Sequence, residues 1–278
     1  MKVASKTGFC FGVKRAVRLA LESVEGGNTA YTFGPLIHNS QVVKWLEEKG
    51  VKAVQSLDEI PQGKIIIRSH GVAPEVRKEA SERGLEIIDA TCPLVKRVQE
   101  KAESLAQANY QVLVVGERNH PEVTSILGYA PGAVVIEKEE DLAEVPQKGR
   151  IGVVAQTTQS PENYRRILRR LKKSGFQETK AFNTICSATI ASQRDALRTA
   201  READVMFVLG GHHSANTRRL TELCRSTGTE THHLATIDEL NEKWLENKTL
   251  VGVAAGASTP QWIVKEFLAK LEEMHSSE

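Results

Sequence analysis

The sequence predicts an α/β protein built as three similar α/β units, with mostly parallel sheets around a pseudo-threefold axis. Three observations carry this prediction. Cys10, Cys92 and Cys186 cut the 278 residues into near-equal segments, the mark of an internal repeat. A helical pattern follows each of these cysteines. An acidic mark then recurs in each segment, as Leu57-Asp58-Glu59-Ile60, Glu140-Asp141-Leu142 and Ile237-Asp238-Glu239-Leu240, each time between a short apolar run and a strand. The predicted boundaries are residues 10–92, 93–185 and 186–278, with residues 1–9 packing centrally.

The elements follow in order. Apolar residues after Cys10 fall at Val13, Ala16, Val17, Ala20, Leu21 and Val24, which is helical spacing. After Cys92 they fall at Val95, Val98, Ala102, Leu105 and Ala106. After Cys186 the stripe is looser, through Ile190, Leu197, Ala200 and Ala203. The first two starts nearly repeat, since Cys10-Phe-Gly-Val13-Lys14-Arg15 resembles Cys92-Pro-Leu-Val95-Lys96-Arg97. A short strand is expected before each cysteine, at residues 2–4, 86–88 and 182–185. Two further strands per segment are expected at 30–33 and 64–68, 111–115 and 150–155, and 205–209 and 250–254. Strands that alternate with helices need crossover connections, so the sheets are parallel.

Composition excludes several classes. The formal charge is +2, from 37 basic and 35 acidic side chains, so neither a nucleic-acid footprint nor an acidic tail is present. No apolar run approaches the ~20 residues that span a bilayer, and Met1 to Cys10 has no apolar signal-peptide core. The expected compartment is the cytoplasm, where four cysteines are no disulfide framework. Cys-x-x-Cys, Walker A, Gly-x-Gly-x-x-Gly and His-Glu-x-x-His are all missing.

In parallel sheets ligands bind beyond the carboxyl ends of strands. Those ends here carry Ile37-His38-Asn39, Ser69-His70-Gly71, Asn119-His120-Pro121-Glu122, Gln156-Thr157-Thr158, His213-Ser214-Ala215-Asn216 and Gly256-Ala257-Ser258. Small and hydrogen-bonding residues before helices suit a phosphate or diphosphate. Taken singly, each such loop reads better as a helix cap or turn; the six together, with His38, His70 and His120 on them, favour a site. The single histidines His38, His70 and His120 lack the paired spacing of a zinc site. Three symmetry-related cysteines at helix starts fit a [4Fe–4S] cluster with one iron left open. A three-cysteine zinc site and three unrelated buried cysteines remain open beside it. Cys224 is out of register and reads as a small buried helix residue.

Gly8-Phe9-Cys10, Ile37-His38-Asn39, Ser69-His70-Gly71-Val72, Asp89-Ala90-Thr91-Cys92-Pro93, Asn119-His120-Pro121-Glu122-Val123, Gln156-Thr157-Thr158, Thr184-Ile185-Cys186-Ser187-Ala188-Thr189 and Ala255-Gly256-Ala257-Ser258 resemble the 4-hydroxy-3-methylbut-2-enyl diphosphate reductases, the LytB family. The resemblance runs from Gly8 to Pro260. It implies the last step of the methylerythritol phosphate route of isoprene biosynthesis, a reductive dehydroxylation giving isopentenyl and dimethylallyl diphosphate. It implies one central [4Fe–4S] cluster per chain on Cys10, Cys92 and Cys186. It implies Glu122 as proton donor, helped by Thr157, with His120 near the reacting end. His38, His70, His120, Thr157, Thr158, Ser214, Asn216 and Ser258 would bind the substrate. The expected partners are the allylic diphosphate and a ferredoxin or flavodoxin as electron donor, with no nucleic acid and no membrane, and the chain is expected to be a monomer. Where the family has Asn-Ser-Ser-Asn, this chain has His213-Ser214-Ala215-Asn216, which predicts altered diphosphate affinity. The readings set beside it are a three-cysteine metal hydrolase of a phosphorylated small molecule and a non-enzymatic iron–sulfur sensor.

Overall fold

A computed structural model describes residues 1–145 and 149–276. Among these residues, twelve strands form three four-stranded sheets, and every ladder is parallel. The chain divides into two compact units. One comprises Met1–Lys14, Ile37–Lys44 and Ser187–Glu278; the other comprises Arg15–Leu36 and Trp45–Cys186.

The second of these units holds two sheets. In the first, β2 (Ala30–Phe33), β3 (Val51–Val54), β4 (Lys64–Ile67) and β5 (Glu86–Asp89) lie in the order β3-β2-β4-β5. In the next, β6 (Gln111–Val115), β7 (Val134–Ile136), β8 (Arg150–Ala155) and β9 (Glu178–Ala181) lie in the order β7-β6-β8-β9. Both follow the rule second, first, third, fourth. The other unit repeats it with one change. There β10 (Val205–Leu209), β11 (Glu230–Leu234) and β12 (Val251–Ala255) take the first three places, and β1 (Lys2–Val3), from the start of the chain, takes the fourth beside β12.

Helices cover both faces, and this explains the long apolar runs. On β10, Val205, Phe207 and Leu209 pack with Val264, Phe267 and Leu271 of α9 (Gln261–Ser276). The alternate residues, Met206 and Val208, pack with Ala196 and Ala200 of α7 (Ser187–Glu202) and Leu220 and Cys224 of α8 (Ala215–Arg225). Cys224 is therefore a buried core residue, as expected, and burial pushes its thiol up to about 12. The helix after Cys10 is α1 (Phe11–Ser23) and that after Cys92 is α4 (Pro93–Gln107), whose Val95, Val98, Ala102 and Leu105 face the core.

Each acidic mark is a 3-10 helix, Leu57–Glu59, Glu139–Glu144 and Ile237–Glu239. Its recurrence has a backbone cause. Glu59 Oε1 accepts from the amides of Gln55 and Ser56 at 2.8 and 2.7 Å. Asp141 Oδ2 accepts from Glu137 and Lys138 at 2.8 and 3.2 Å, and Glu239 Oε2 from Ala235 at 3.1 Å. A carboxylate reaching back to amides at the helix start closes the turn that leads to the third strand.

The strand expected at 182–185 is corrected to β9, Glu178–Ala181. Phe182 makes one more ladder bond, to Val153 O. Side chains then take over the backbone's partners. Thr184 Oγ1 accepts from Ala155 N at 2.8 Å and donates to Ala155 O at 2.6 Å, while Asn183 Oδ1 accepts from Ile185 N. Such local competition ends a strand.

Candidate functional site

Each singled-out cysteine stands one residue before a helix, α1, α4 or α7. Each is tethered in the same way. Cys92 N donates to Ser69 O at 3.0 Å, Cys186 N to Thr157 O at 2.9 Å, and Cys10 N to Ala257 O at 3.1 Å. Each acceptor lies two residues past the end of a third strand, β4, β8 or β12. The repeat therefore fixes three thiols at equivalent places in their sheets. No disulfide joins any of them.

In the unit containing residues 45–186, the loop after β6 leads into α5 (Pro121–Tyr129). His120 caps this helix, its Nδ1 accepting from Glu122 N at 3.1 Å. That bond requires a lone pair on Nδ1, so a neutral ring carries its proton on Nε2. The Glu122 side chain turns inward, and the residue is 2% exposed. Its Oε1 accepts from Thr157 N at 2.6 Å and its Oε2 from Thr157 Oγ1 at 2.7 Å. Burial pushes the Glu122 carboxyl up to about 7, against the lowering effect of both bonds. Gln156 ties the loops after β6 and β8 together, accepting from Glu117 N at 2.9 Å and donating to Thr158 Oγ1 at 3.0 Å.

His70 follows β4, and its ring meets that of His120 edge to face, with centroids 5.3 Å apart. Gly71 beside it has φ of +73°. A Cβ there would stand 2.9 Å from Ser125 Oγ and against the Gln99 amide, which donates to Ser125 Oγ at 2.5 Å. Gln99 and Ser125 thus back the His70 turn. Sequence reasoning missed both. The available signal was the place of Gln99 on the apolar stripe of α4, next to Val98 and one turn from Val95 and Ala102, where a polar residue is buried only if it has a partner.

In the other unit, the loop after β10 leads into α8. Ser214 caps it, its Oγ accepting from Thr217 N at 3.3 Å. Asn216 is 5% exposed, and neither its Oδ1 nor its Nδ2 has a partner among the described residues. A buried orphan polar group costs about 1–3 kcal/mol, so this amide is poised for a ligand at the positive end of a helix. His38 reaches the same loop through its backbone. Its carbonyl accepts from Ser258 Oγ at 3.3 Å and lies 2.6 Å from where a Cβ on Gly211 would stand. Asn39, next to it, caps α2 (Ser40–Glu48) by accepting from Val42 N at 3.1 Å. The loop is held from behind by His233, whose Nε2 donates to Gly210 O at 2.8 Å, and by Glu239, which binds His212 Nε2 at 3.0 Å. Burial lowers the His233 pKa, which favours the neutral ring.

The expected site residues thus fall into two sets. His38, Ser214, Asn216 and Ser258 lie together around an anion-ready helix start. His70, His120, Glu122, Thr157 and Thr158 lie around a buried carboxyl acid.

The chain is similar to known proteins over nearly its whole length. The LytB protein family model matches residues 1–272. The 4-hydroxy-3-methylbut-2-enyl diphosphate reductase of Geobacter metallireducens is 47% identical over 276 residues, which are 99% of this chain and 98% of that one. The enzyme of the same name from Geotalea uraniireducens is 48% identical over 279 residues, with the same coverage. A solved structure of (E)-4-hydroxy-3-methyl-but-2-enyl diphosphate reductase, described as the terminal enzyme of the non-mevalonate pathway, matches at 42% identity with a TM-score of 0.71, covering 98% of this chain and 99% of that one. The Plasmodium falciparum reductase structure matches at 28% identity with a TM-score of 0.92, covering 97% and 87%. With a family model spanning nearly its whole length and relatives near half identical to it, this chain belongs to the LytB family.

Proposed function

We propose that the chain catalyses the reductive dehydroxylation of 4-hydroxy-3-methylbut-2-enyl diphosphate to isopentenyl diphosphate and dimethylallyl diphosphate. Two electrons and two protons enter, the allylic C–O bond breaks, and the hydroxyl leaves as water. The observation that carries this reading is the Glu122 carboxyl, buried, bonded twice to Thr157 and pushed up to about 7. Hydroxide is a poor leaving group, so the step needs an acid that still holds its proton near neutrality.

The donor set fits a [4Fe–4S] cluster. Cys10, Cys92 and Cys186 would hold it, since three thiols with equivalent tethers at helix starts favour thiolate and an anionic group. When bound, such a cluster with an open iron supplies electrons and a Lewis acid to the substrate oxygen. The remaining roles belong to side chains. Ser214, Asn216, His38 and Ser258 would bind the diphosphate together with the first amides of α8. His70 and His120 would donate toward the substrate, with Thr157 and Thr158 lining the acid's side. Thr157 holds Glu122 in place, its amide and hydroxyl each donating to one carboxyl oxygen.

We read the chain as three units, residues 10–92, 93–185 and 186–278, with residues 1–9 central, supported by the strand order that recurs in the three sheets. The same reading has it working in the cytoplasm as a monomer, with a ferredoxin or flavodoxin as electron donor. No helix among the described residues is long and apolar enough to cross a membrane.

The test is anaerobic purification, iron and sulfide analysis, and assay with the allylic diphosphate and a chemical reductant. About four irons and four sulfides per chain, with formation of both products, are expected. Zinc in place of iron, with no turnover after reconstitution, would overturn the proposal.

A further inference from the structure

The proposed reaction consumes electrons that a partner must bring to the cluster the three cysteines would hold. Among the described residues the large exposed apolar side chains are Met1, Val3, Phe11, Leu94 and Trp262. Two of them adjoin Cys10. Phe11 is the next residue and is 72% exposed; Trp262, 45% exposed, meets the ring of Phe9, the preceding residue, edge to face at 6.1 Å. The segment is fixed in this position. Gln261 Nε2 donates to Thr7 O at 2.9 Å, Gly8 has φ of +93° with the Gln261 side chain filling its Cβ position, and Cys10 N is tethered to Ala257. A rigid, exposed aromatic patch at a metal-ligand candidate offers a contact surface.

Charge around the patch is mostly positive, with Glu266, next to Lys265, as an exposed carboxylate beside it. The first 21 residues contain Lys2, Lys6, Lys14, Arg15 and Arg18 and no carboxylate. Three of these are already engaged: Lys2 pairs with Glu202, Arg18 with Glu22, and Arg15 donates to the carbonyls of Asp89 and Thr91. Lys6 and Lys14 are exposed, as is Lys265 three residues beyond Trp262, and none of the three is in an ion pair among the described residues. Asp195 is occupied by Ser5, the Lys6 amide and Arg198, so Glu266, one turn along α9 from Trp262, is the carboxylate left beside the three lysines.

We propose that Phe9, Phe11 and Trp262, with Lys6, Lys14 and Lys265 around them, form the docking face for an acidic ferredoxin. The proposal rests on the function given above. Lysines raise the encounter rate with an acidic carrier, and the aromatic centre excludes water and brings the carrier next to Cys10. Two reduced ferredoxins each give up one electron per substrate turned over, and the protons and the departing water are those of the main reaction.

The test uses the iron-loaded enzyme with two reductants, methyl viologen radical and a reduced acidic bacterial ferredoxin, and measures ferredoxin binding directly by titration calorimetry. Trp262→Ser, Phe11→Ser and the double variant Lys14→Glu/Lys265→Glu are compared with wild type at equal iron content. Binding and the KM for ferredoxin are expected to worsen about tenfold or more in the aromatic variants, as at interface hot spots. The lysine variant should lose the salt dependence of ferredoxin binding. Turnover with methyl viologen should hold in all variants. Unchanged ferredoxin affinity in both Trp262→Ser and the lysine variant would overturn the docking face. Binding of an acidic flavodoxin here in place of ferredoxin would overturn the chosen partner. Failure of wild type with methyl viologen would instead overturn the enzymatic reading itself.

Discussion

Glu122 shows how one residue's environment sets its chemistry. Its pKa is raised by burial, so in the folded chain the proton is lost near pH 7, while in the unfolded chain it is lost near the ordinary 4.5. The folded state therefore binds more protons between these values, and stability falls as pH rises through that window. A shift of this size corresponds to about 3 kcal/mol at most above pH 7. Glu122→Gln keeps both Thr157 contacts, with the amide oxygen on the Thr157 N–H and the amide nitrogen on its hydroxyl. The variant should unfold at a higher temperature than wild type at pH 8 and at no higher a temperature at pH 4, while turnover drops about 10²–10⁴-fold. A variant that loses turnover without this pH-dependent gain would show that the carboxyl is not held protonated. Thr157→Val removes a bond that lowers the Glu122 pKa, so the alkaline limb of its kcat/KM profile should move to higher pH. At the other set, Ala215 is 3% exposed beside the unpartnered Asn216 amide. Ala215→Ser adds a donor there and should lower KM; an unchanged KM would mean that the diphosphate does not contact this turn. The residue types of both sets were legible in the sequence as strand-end motifs. What was not legible is that Glu122 is buried and Asn216 orphaned, because both depend on which loops close over them.

At the scale of elements, helices and first strands were readable because their apolar periodicity is strong. Strands 30–33, 111–115, 150–155 and 205–209 match β2, β6, β8 and β10 in both bounds. The misses share a cause. β9 reads Glu-Thr-Lys-Ala, exposed throughout, so no hydrophobic pattern announces it, and the apolar Phe182 and Ile185 drew the expected strand too far along the chain. β3, β7 and β11 read only as short apolar runs before the acidic marks, since edge strands carry less of the core. The marks themselves were visible as a repeat, but their capping role required the backbone. That role predicts that Glu59→Ala, which strips the acceptor from Gln55 N and Ser56 N, lowers stability by about 0.5–2 kcal/mol and leaves turnover intact. Thr184→Val should cost more relative to its size, because it leaves both backbone groups of Ala155 unpaired beside the segment that delivers Cys186. Thermal unfolding and steady-state assays check both, and a Glu59→Ala chain of wild-type stability would remove the capping explanation of the repeat.

For the whole molecule, the informative fact is where the repeat closes. Two sheets take all four strands from their own segments; the third takes its fourth strand from residues 2–3, and Ala4 N continues the ladder to Val253 O at 2.8 Å. The near-equal cysteine spacing signalled a threefold repeat, but not this permutation, because two residues carry no periodicity. The permutation explains why Cys10 lies so near the start of the chain: its strand is the fourth of a unit whose first three come last. It also separates folding from metal loading. Deleting residues 1–3 removes one short edge strand from one sheet and leaves the other two complete, so the chain should still fold, with a modest fall in unfolding temperature. The segment from Ser5 to Cys10 then loses its ladder and is held by Asp195 through Ser5 and Lys6, by Gln261 through Thr7 and by Ala257 through the Cys10 amide. With its lead-in loosened, Cys10 should hold its share of the proposed cluster less firmly, so iron per chain after anaerobic reconstitution should fall further than stability does. Full iron content in the truncated chain would mean that those remaining tethers alone position Cys10, and that the fourth strand serves the sheet and not the metal.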